Sequence, residues 1–227
     1  MIYQKGLPMF KFLLLILSLA LLAACTSKPE PLPEAPPTVS ELANAPLVSE
    51  NDRKYEGVFA PLDGTWEGVF FIYEDSLGQR EGIAQPRNIR NLEFTDLALR
   101  LVQEIEVKQV YISESPYFQR VQITDTYIDE NGQQKIVKSE GVNKIQDGQM
   151  WCVVKKPDGT IIHHGSLDNQ HTIVWQRSQE SPLKIEYFRE AVEDDFYKIW
   201  GWGYYGDDDP TLTPRLWFIG DYNKVLE

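Results

Sequence analysis

The feature that most constrains the fold is a succession of strand-like segments separated by tight turns. Asn131-Gly132 lies between two alternating segments, and Asn-Gly in that position is the strongest short-range signal for a β-hairpin. Asp147-Gly148, Asp158-Gly159 and Asp168-Asn169 separate the segments that follow. Connections this short join antiparallel neighbours and leave no room for crossover helices.

The strand segments themselves alternate apolar and polar residues. One stretch carries its apolar residues on a single parity, a period of two that predicts a half-buried strand: Leu97, Leu99, Leu101, Ile105, Val107 and Tyr111. The other predicted strands are residues 65–73, 117–128, 133–139, 150–155, 160–164, 171–177, 183–190, 196–204 and 215–222. About eight to ten strands in one sheet must close to avoid open edges. The sequence therefore predicts an all-β domain over residues 54–227, an antiparallel up-and-down β-barrel.

The N-terminal residues predict export. Lys5 and Lys11 precede an apolar run over residues 12–24, the pattern of a secretory signal peptide. The run is shorter than the roughly 20 residues that a membrane-spanning helix needs.

The same run ends in Leu22-Ala23-Ala24-Cys25, which resembles the lipobox of bacterial lipoproteins. This resemblance implies cleavage after residue 24, lipid attachment at Cys25 and anchoring in the cell envelope. Thr26 follows the cysteine where an aspartate would resemble an inner-membrane retention signal. In a bacterium with two membranes, the implied location is therefore the outer membrane, facing the periplasm.

Residues 25–53 are expected to form a tether between the lipid anchor and the barrel. Their first half is rich in proline, at Pro29, Pro31, Pro33, Pro36 and Pro37. This composition favours an extended, semi-rigid spacer. Residues 41–56 leave two interpretations open, a short helix or more spacer.

The charge balance excludes one class of partner. The chain has 22 Lys and Arg residues against 34 Asp and Glu residues, a formal net charge of −12. An acidic surface repels phosphate backbones, so nucleic-acid binding is not expected.

Two motifs resemble known barrel families. Gly64-x-Trp66 opens the first strand and resembles the signature of lipocalins and other calycins. That resemblance implies that Trp66 plugs the closed end of the barrel and that Arg215, near the last strand, packs across it. Residues 116–121, Pro-Tyr-Phe-Gln-Arg-Val, are similar to a segment of barrel-shaped phycobilin chromophore lyases, which makes a lyase-like activity a third functional hypothesis.

Enzyme and cofactor motifs are absent from the sequence. It contains no nucleophile elbow, phosphate-binding loop or zinc-protease motif, so no cofactor, metal or catalytic residue is assigned and a non-enzymatic role is favoured. His163 and His164 are adjacent on a strand and should point to opposite faces. Asp207-Asp208-Asp209 is interpreted as a solvated loop, and Cys152, in an apolar segment, as a buried inert thiol.

The most unusual segment is Trp200-Gly201-Trp202-Gly203-Tyr204. Trp200, Trp202 and Tyr204 share one face of a strand, and we expect that face to point into the barrel. They either fill a packed core or line a ligand pocket. Polar side chains on otherwise apolar strands are the candidate ligand anchors: Arg120, Gln122 and Arg177.

Two functions follow from these expectations. The first is a lipid-anchored barrel that binds a small apolar or aromatic ligand, because such pockets combine apolar walls with a few polar groups. The second is an envelope structural or assembly lipoprotein whose barrel is filled and whose surface engages a protein partner. An open cavity favours the first function, and a filled barrel with an exposed apolar patch favours the second.

Overall fold

Ten β-strands account for most of the part of the chain that the structure describes. The structure is a computed structural model, and it describes residues 31–81, 97–193 and 195–226. The strands are β1 (Gly64–Asp75), β2 (Leu99–Ser115), β3 (Phe118–Ile128), β4 (Gln134–Gln146), β5 (Gln149–Lys156), β6 (Gly159–Asn169), β7 (Thr172–Glu180), β8 (Leu183–Val192), β9 (Phe196–Gly206) and β10 (Leu216–Lys224). Three short 3₁₀ helices precede them, at Pro37–Ser40, Glu50–Tyr55 and Ala60–Leu62.

The strands form one closed antiparallel barrel. Each strand pairs with the next in sequence, and β1 closes the sheet by pairing with β10. This confirms the predicted all-β, up-and-down barrel with about ten strands. Closure leaves the sheet without a free edge, which removes the usual template for aggregation.

Two predicted turns contain glycines with positive φ values. Gly132 and Gly148 adopt φ values of 74° and 71°, a region that side chains with a Cβ rarely enter. The turns at these glycines join β3 to β4 and β4 to β5, as the sequence predicts.

One end of the barrel, here called the base, is closed by the segment that precedes β1. Phe59 and Leu62 are each 1% exposed and belong to the same core cluster as Trp66, which is fully buried. The indole Nε1 of Trp66 donates a hydrogen bond to the Leu62 carbonyl at 2.7 Å. The segment over residues 59–62 and the Trp66 ring therefore close the base together.

The cation beside Trp66 is not the one that the resemblance implied. Trp66 is the register partner of Lys224 at the end of β10, whose ammonium lies 5.2 Å from the ring centroid. Arg215 precedes β10 and lies at the opposite end of the barrel, so its expected packing on Trp66 is wrong. Arg215 instead forms ion pairs with Asp207 and Asp208. Asp208 is buried, so this acidic segment is not the fully solvated loop that was expected.

Part of the predicted tether packs on the outside of the barrel. Val39 is fully buried in a cluster with Phe118 and Trp151. The ammonium of Lys144 donates to the carbonyl oxygens of Thr38 and Glu41 at 3.2 and 3.0 Å. Residues 38–42 are therefore held against β3, β4 and β5, because the barrel offers them apolar contacts and a buried cation that composition alone does not reveal.

Candidate functional site: a cavity inside the barrel

The barrel interior contains a cavity of about 340 Å³. Its apolar wall comes from alternate residues of most strands and includes Phe70, Ile72, Ile105, Val107, Val121, Ile123, Val154, Ile161, Phe188, Ile199 and Phe218. This volume lies within the range of about 300–1,000 Å³ that is common for small-molecule sites. The barrel interior is therefore only partly filled by side chains.

Strand alternation decides which residues reach the cavity. On β2, the odd-numbered Val107, Gln109 and Tyr111 line it, while the even-numbered Ile112 is 57% exposed on the outer face. The same alternation on β8 brings Glu186, Phe188 and Glu190 to the cavity. Two carboxyl groups and an aromatic ring thus share one inner face of a single strand.

The first polar group of the cavity surrounds Glu186, on the side away from the base. Glu186 lies 3.0 Å from the His163 Nε2 and 3.5 Å from the Arg177 Nη1, and it accepts a hydrogen bond from the Tyr205 hydroxyl at 2.8 Å. Burial raises the pKa of Glu186, but the hydrogen bonds and the nearby positive charges outweigh burial and lower it to about 2. Glu186 is therefore an ionised carboxylate that already has its partners.

The second polar group surrounds Glu190, nearer the base. The Trp175 Nε1 donates a hydrogen bond to Glu190 at 2.8 Å, and the Tyr197 hydroxyl donates another. Burial raises the pKa of Glu190 to about 7, against the lowering effect of these two donors. Among the described residues, Glu190 forms no ion pair, which distinguishes it from Glu186.

Two more cavity residues, Asp125 and Cys152, have shifted pKa values. Burial raises the pKa of Asp125, while the charge of Lys156 lowers it; both residues line the cavity. Burial and the charge of Glu190 raise the pKa of the Cys152 thiol. A thiol with a raised pKa is a poor nucleophile, so Cys152 contributes packing to the wall.

Of the three predicted polar anchors, Arg177 lies beside the cavity and the other two do not. Arg177 reaches Glu186 and donates a hydrogen bond to Gln179 at 2.9 Å. The prediction for Arg120 is wrong, because its guanidinium lies outside the barrel, where it contacts Glu114 and donates to the Leu42 carbonyl at 3.0 Å. Gln122 has the same parity as Arg120 and is exposed. Both side chains therefore belong to the outer face of β3.

The expected inward face of β9 is also wrong. Ile199 and Tyr205 line the cavity, so the opposite parity, which carries Trp200, Trp202 and Tyr204, faces outward. The inner face has room for neighbouring rings because it holds glycines: a Cβ on Gly201 would meet the Phe188 ring at 2.7 Å.

Two of these outward aromatics, Trp202 and Tyr204, are nevertheless buried, whereas Trp200 is partly exposed. Trp202 is 4% exposed and Tyr204 is fully buried. Trp202 stacks on Tyr187 with ring centroids 5.2 Å apart, and the Tyr204 hydroxyl donates to the Leu212 carbonyl at 2.6 Å. They form an outer aromatic cluster with Val174 and Trp217, against which Tyr73, Leu97, Leu99, Leu183 and Ile185 pack. This cluster is a second core on the outside of the barrel wall.

The sequence interpretation missed Glu186 and Glu190, which are the principal polar groups of the cavity. On β8 the apolar Ile185 and Tyr187 have the opposite parity. Their apolar side chains favour that parity for the interior. The signal that could have found the carboxyls is their spacing, since Glu186, Phe188 and Glu190 alternate on one face of a strand.

The two adjacent histidines point to opposite faces, as predicted. His163 lines the cavity, whereas His164 lies outside, 2.8 Å from Gln149 and edge-on to Trp151. Within the described ranges, no group of three or more His, Cys, Asp or Glu residues is arranged to hold a metal ion. Over the same residues, no helix has both the length and the apolar character needed to cross a membrane.

No protein-family model matches the chain, and no curated protein matches it either.

Proposed function

We propose that this protein binds a small, largely apolar molecule inside its barrel. One observation carries the proposal: a cavity of about 340 Å³ with aliphatic and aromatic walls and a few convergent polar groups. Apolar walls favour an apolar ligand at roughly 25 cal/mol per Å² of buried surface. The polar groups at Glu186 and Glu190 orient the part of the ligand that can form hydrogen bonds.

The arrangement of the cavity favours binding over catalysis. Glu186 is held by His163, Arg177 and Tyr205, so its carboxylate is compensated. The Cys152 thiol has a raised pKa and does not supply an activated nucleophile. A binding module therefore accounts for these groups more simply than an enzyme does.

Direct titration tests the proposal. Residues 26–227 retain the whole compact unit Pro33–Glu227 and would be titrated by calorimetry with octanol, octanoate, octylamine and 2-naphthol. Saturable binding of at least one compound, with one site per chain, is the expected result. Absence of saturable binding for all four compounds would contradict a ligand-binding barrel and favour the envelope-assembly role.

We further propose that the barrel is held at a membrane of the bacterial cell envelope through lipid on Cys25. The support is the lipobox-like Leu22-Ala23-Ala24-Cys25 directly after the apolar run. Two or three acyl chains suffice for stable anchoring. In a bacterial host, Cys25→Ser should leave the chain unprocessed or release it into the soluble fraction; normal cleavage and unchanged membrane partitioning would rule the anchor out.

A further inference from the structure

One carboxyl of the cavity, that of Glu190, forms no ion pair among the residues that the structure describes. Arg177 and His163 lie beside Glu186, and Lys156 acts on Asp125. Glu190 has two neutral donors, the Trp175 indole and the Tyr197 hydroxyl, and forms no ion pair among the described residues. A buried carboxylate normally requires an opposite charge or becomes protonated.

Aromatic side chains surround this carboxyl on the cavity side. Trp175, Tyr111 and Tyr222 line the same cavity as Glu190. Trp175 donates to its carboxylate, and the charge of Glu190 raises the pKa values of both tyrosines. Aromatic faces attract cations, and more strongly when water is excluded. The surroundings of Glu190 are therefore suited to a positive charge.

We propose that Glu190 binds the ammonium group of an amphiphilic amine whose apolar body lies along the cavity wall. The inference rests on the proposed function and names the ligand class for that same cavity. The ammonium donates hydrogen bonds to the carboxylate oxygens of Glu190, and the flanking rings of Trp175, Tyr111 and Tyr222 contact its polarised methylene groups. The missing counter-charge of Glu190 is thus supplied by the ligand.

A ligand with an acidic head group fits this end of the cavity less well. Such an anion would lie against Glu190, a carboxyl that forms no ion pair with a basic side chain within the described ranges. At the other polar group, Arg177 already forms a 3.5 Å ion pair with Glu186. The chain's net charge of −12 also attracts cations toward the barrel and repels anions.

The proposal predicts a specific pH dependence, because the ammonium binds the ionised carboxylate. Burial raises the pKa values of Tyr111, Tyr197 and Tyr222 well above the ordinary tyrosine value, and burial also raises the pKa of the Cys152 thiol. These groups therefore stay neutral between pH 6 and 8.

The remaining ionisable groups in or beside the cavity are Asp125, Lys156, His163, Glu186 and Arg177. Glu186 has a pKa of about 2 and does not change charge in this range. Glu190, with a pKa of about 7, does. Alkyl ammonium groups titrate near 10, so affinity for an amine should rise about tenfold from pH 6 to 8 as Glu190 ionises.

The experiment compares octylamine, octanol and octanoate by calorimetry on residues 26–227 at pH 6 and 8. We expect octylamine to bind at least about tenfold more tightly than octanol at pH 8, and octanoate to bind most weakly. Glu190→Gln keeps the shape of the side chain and should abolish both the preference for the amine and its pH dependence. Glu106→Gln removes the same charge from an exposed outer position of β2 and should preserve both.

The outcomes separate this inference from the function on which it rests. Octanol bound equally by the parent chain and by Glu190→Gln shows that both are folded and that the cavity is accessible. Octanol binding without a preference for octylamine, or a preference that survives in Glu190→Gln, overturns the amine proposal and leaves the binding function standing. If His163 instead caused the pH dependence, that dependence would persist in Glu190→Gln.

Discussion

The ammonium of Lys224 lies 5.2 Å from the centroid of the Trp66 ring, and the two residues are register partners where β10 closes the barrel against β1. The contact joins the first strand to the last at the base. Trp66 also donates to the Leu62 carbonyl, so the same ring connects the barrel seam to the segment that covers the base. The Trp66 side chain therefore links closure of the sheet, between β1 and β10, to closure of the base.

Trp66→Ala should lower the free energy of unfolding by about 3–5 kcal/mol, because it removes a fully buried ring and leaves a cavity. Urea denaturation of residues 26–227 measures the change. Lys224→Met keeps most of the packing and loses the cation, so it should cost no more than about 2 kcal/mol. Equal and small effects of both substitutions would show that the ring does not hold the base closed.

The packing of the segment before β1 against the barrel should depend on Asp52. This fully buried carboxylate accepts hydrogen bonds from the backbone N–H groups of Ser49 and Gly148, both at 2.6 Å. Asp52→Ala leaves the buried Gly148 N–H without its acceptor, at a cost of about 1–3 kcal/mol. Urea denaturation should show that loss, and limited proteolysis should cut residues 41–53 faster; unchanged cleavage would mean that this contact does not hold the segment.

Acid should weaken the hydrogen bonds that Asp52 accepts from Ser49 and Gly148. Burial raises the pKa of Asp52, but the hydrogen bonds from Ser49 and Gly148 outweigh burial and lower it below its ordinary value of 3.8. A carboxyl with a lowered folded pKa stabilises the fold above its unfolded pKa and loses that contribution as pH falls through the folded value. The stability difference between the parent chain and Asp52→Ala should therefore shrink below pH 3.8.

Much of the barrel can be predicted from sequence because its determinants are local. Glycines at Gly132 and Gly148 provide the turns, and a period of two marks the strands. Which face of β9 points inward cannot be predicted in this way, because side chains on both faces of the strand are buried. Tyr197 and Ile199 lie inside the barrel, and Trp202 and Tyr204 lie outside it. Alternation identifies the interior only where the other face meets water.

The polar groups of the cavity were missed for a related reason. Charged residues are usually exposed, so Glu186 and Glu190 are naturally interpreted as outer positions of β8. Their burial depends on partners from other strands, the His163 ring for Glu186 and the Trp175 indole for Glu190. These partners become neighbours only when the sheet closes, and local sequence does not specify that register.

Glu190 should make the fold less stable as pH rises. Its pKa is raised from 4.5 to about 7 in the folded chain, so the unfolded state ionises first and the free energy of unfolding falls between pH 4.5 and 7. A shift of this size corresponds to about 3 kcal/mol. Relative to the parent chain, Glu190→Gln should gain about that much stability from pH 4 to 8; a constant difference across this range would contradict a carboxyl whose pKa is raised by burial.

Glu186 should have the opposite effect. Its folded pKa is lowered from 4.5 to about 2, so its contribution is complete above 4.5 and is lost as pH falls toward 2. Glu186→Gln should therefore destabilise the chain more at pH 6 than at pH 3. Urea denaturation at the two pH values provides the comparison, and equal destabilisation at both would mean that His163, Tyr205 and Arg177 do not favour the ionised form.

The central claim is that the barrel interior is a binding site, and a pair of substitutions on β2 tests it most directly. Val107 lines the cavity, whereas Ile112 is 57% exposed on the outer face. The affinity of octanol, or of the tightest of the four compounds, would be measured by calorimetry for Val107→Phe and Ile112→Phe. We predict a loss of at least about tenfold for Val107→Phe, which fills the cavity, and no change for Ile112→Phe. Equal affinity in both variants would contradict binding inside the barrel.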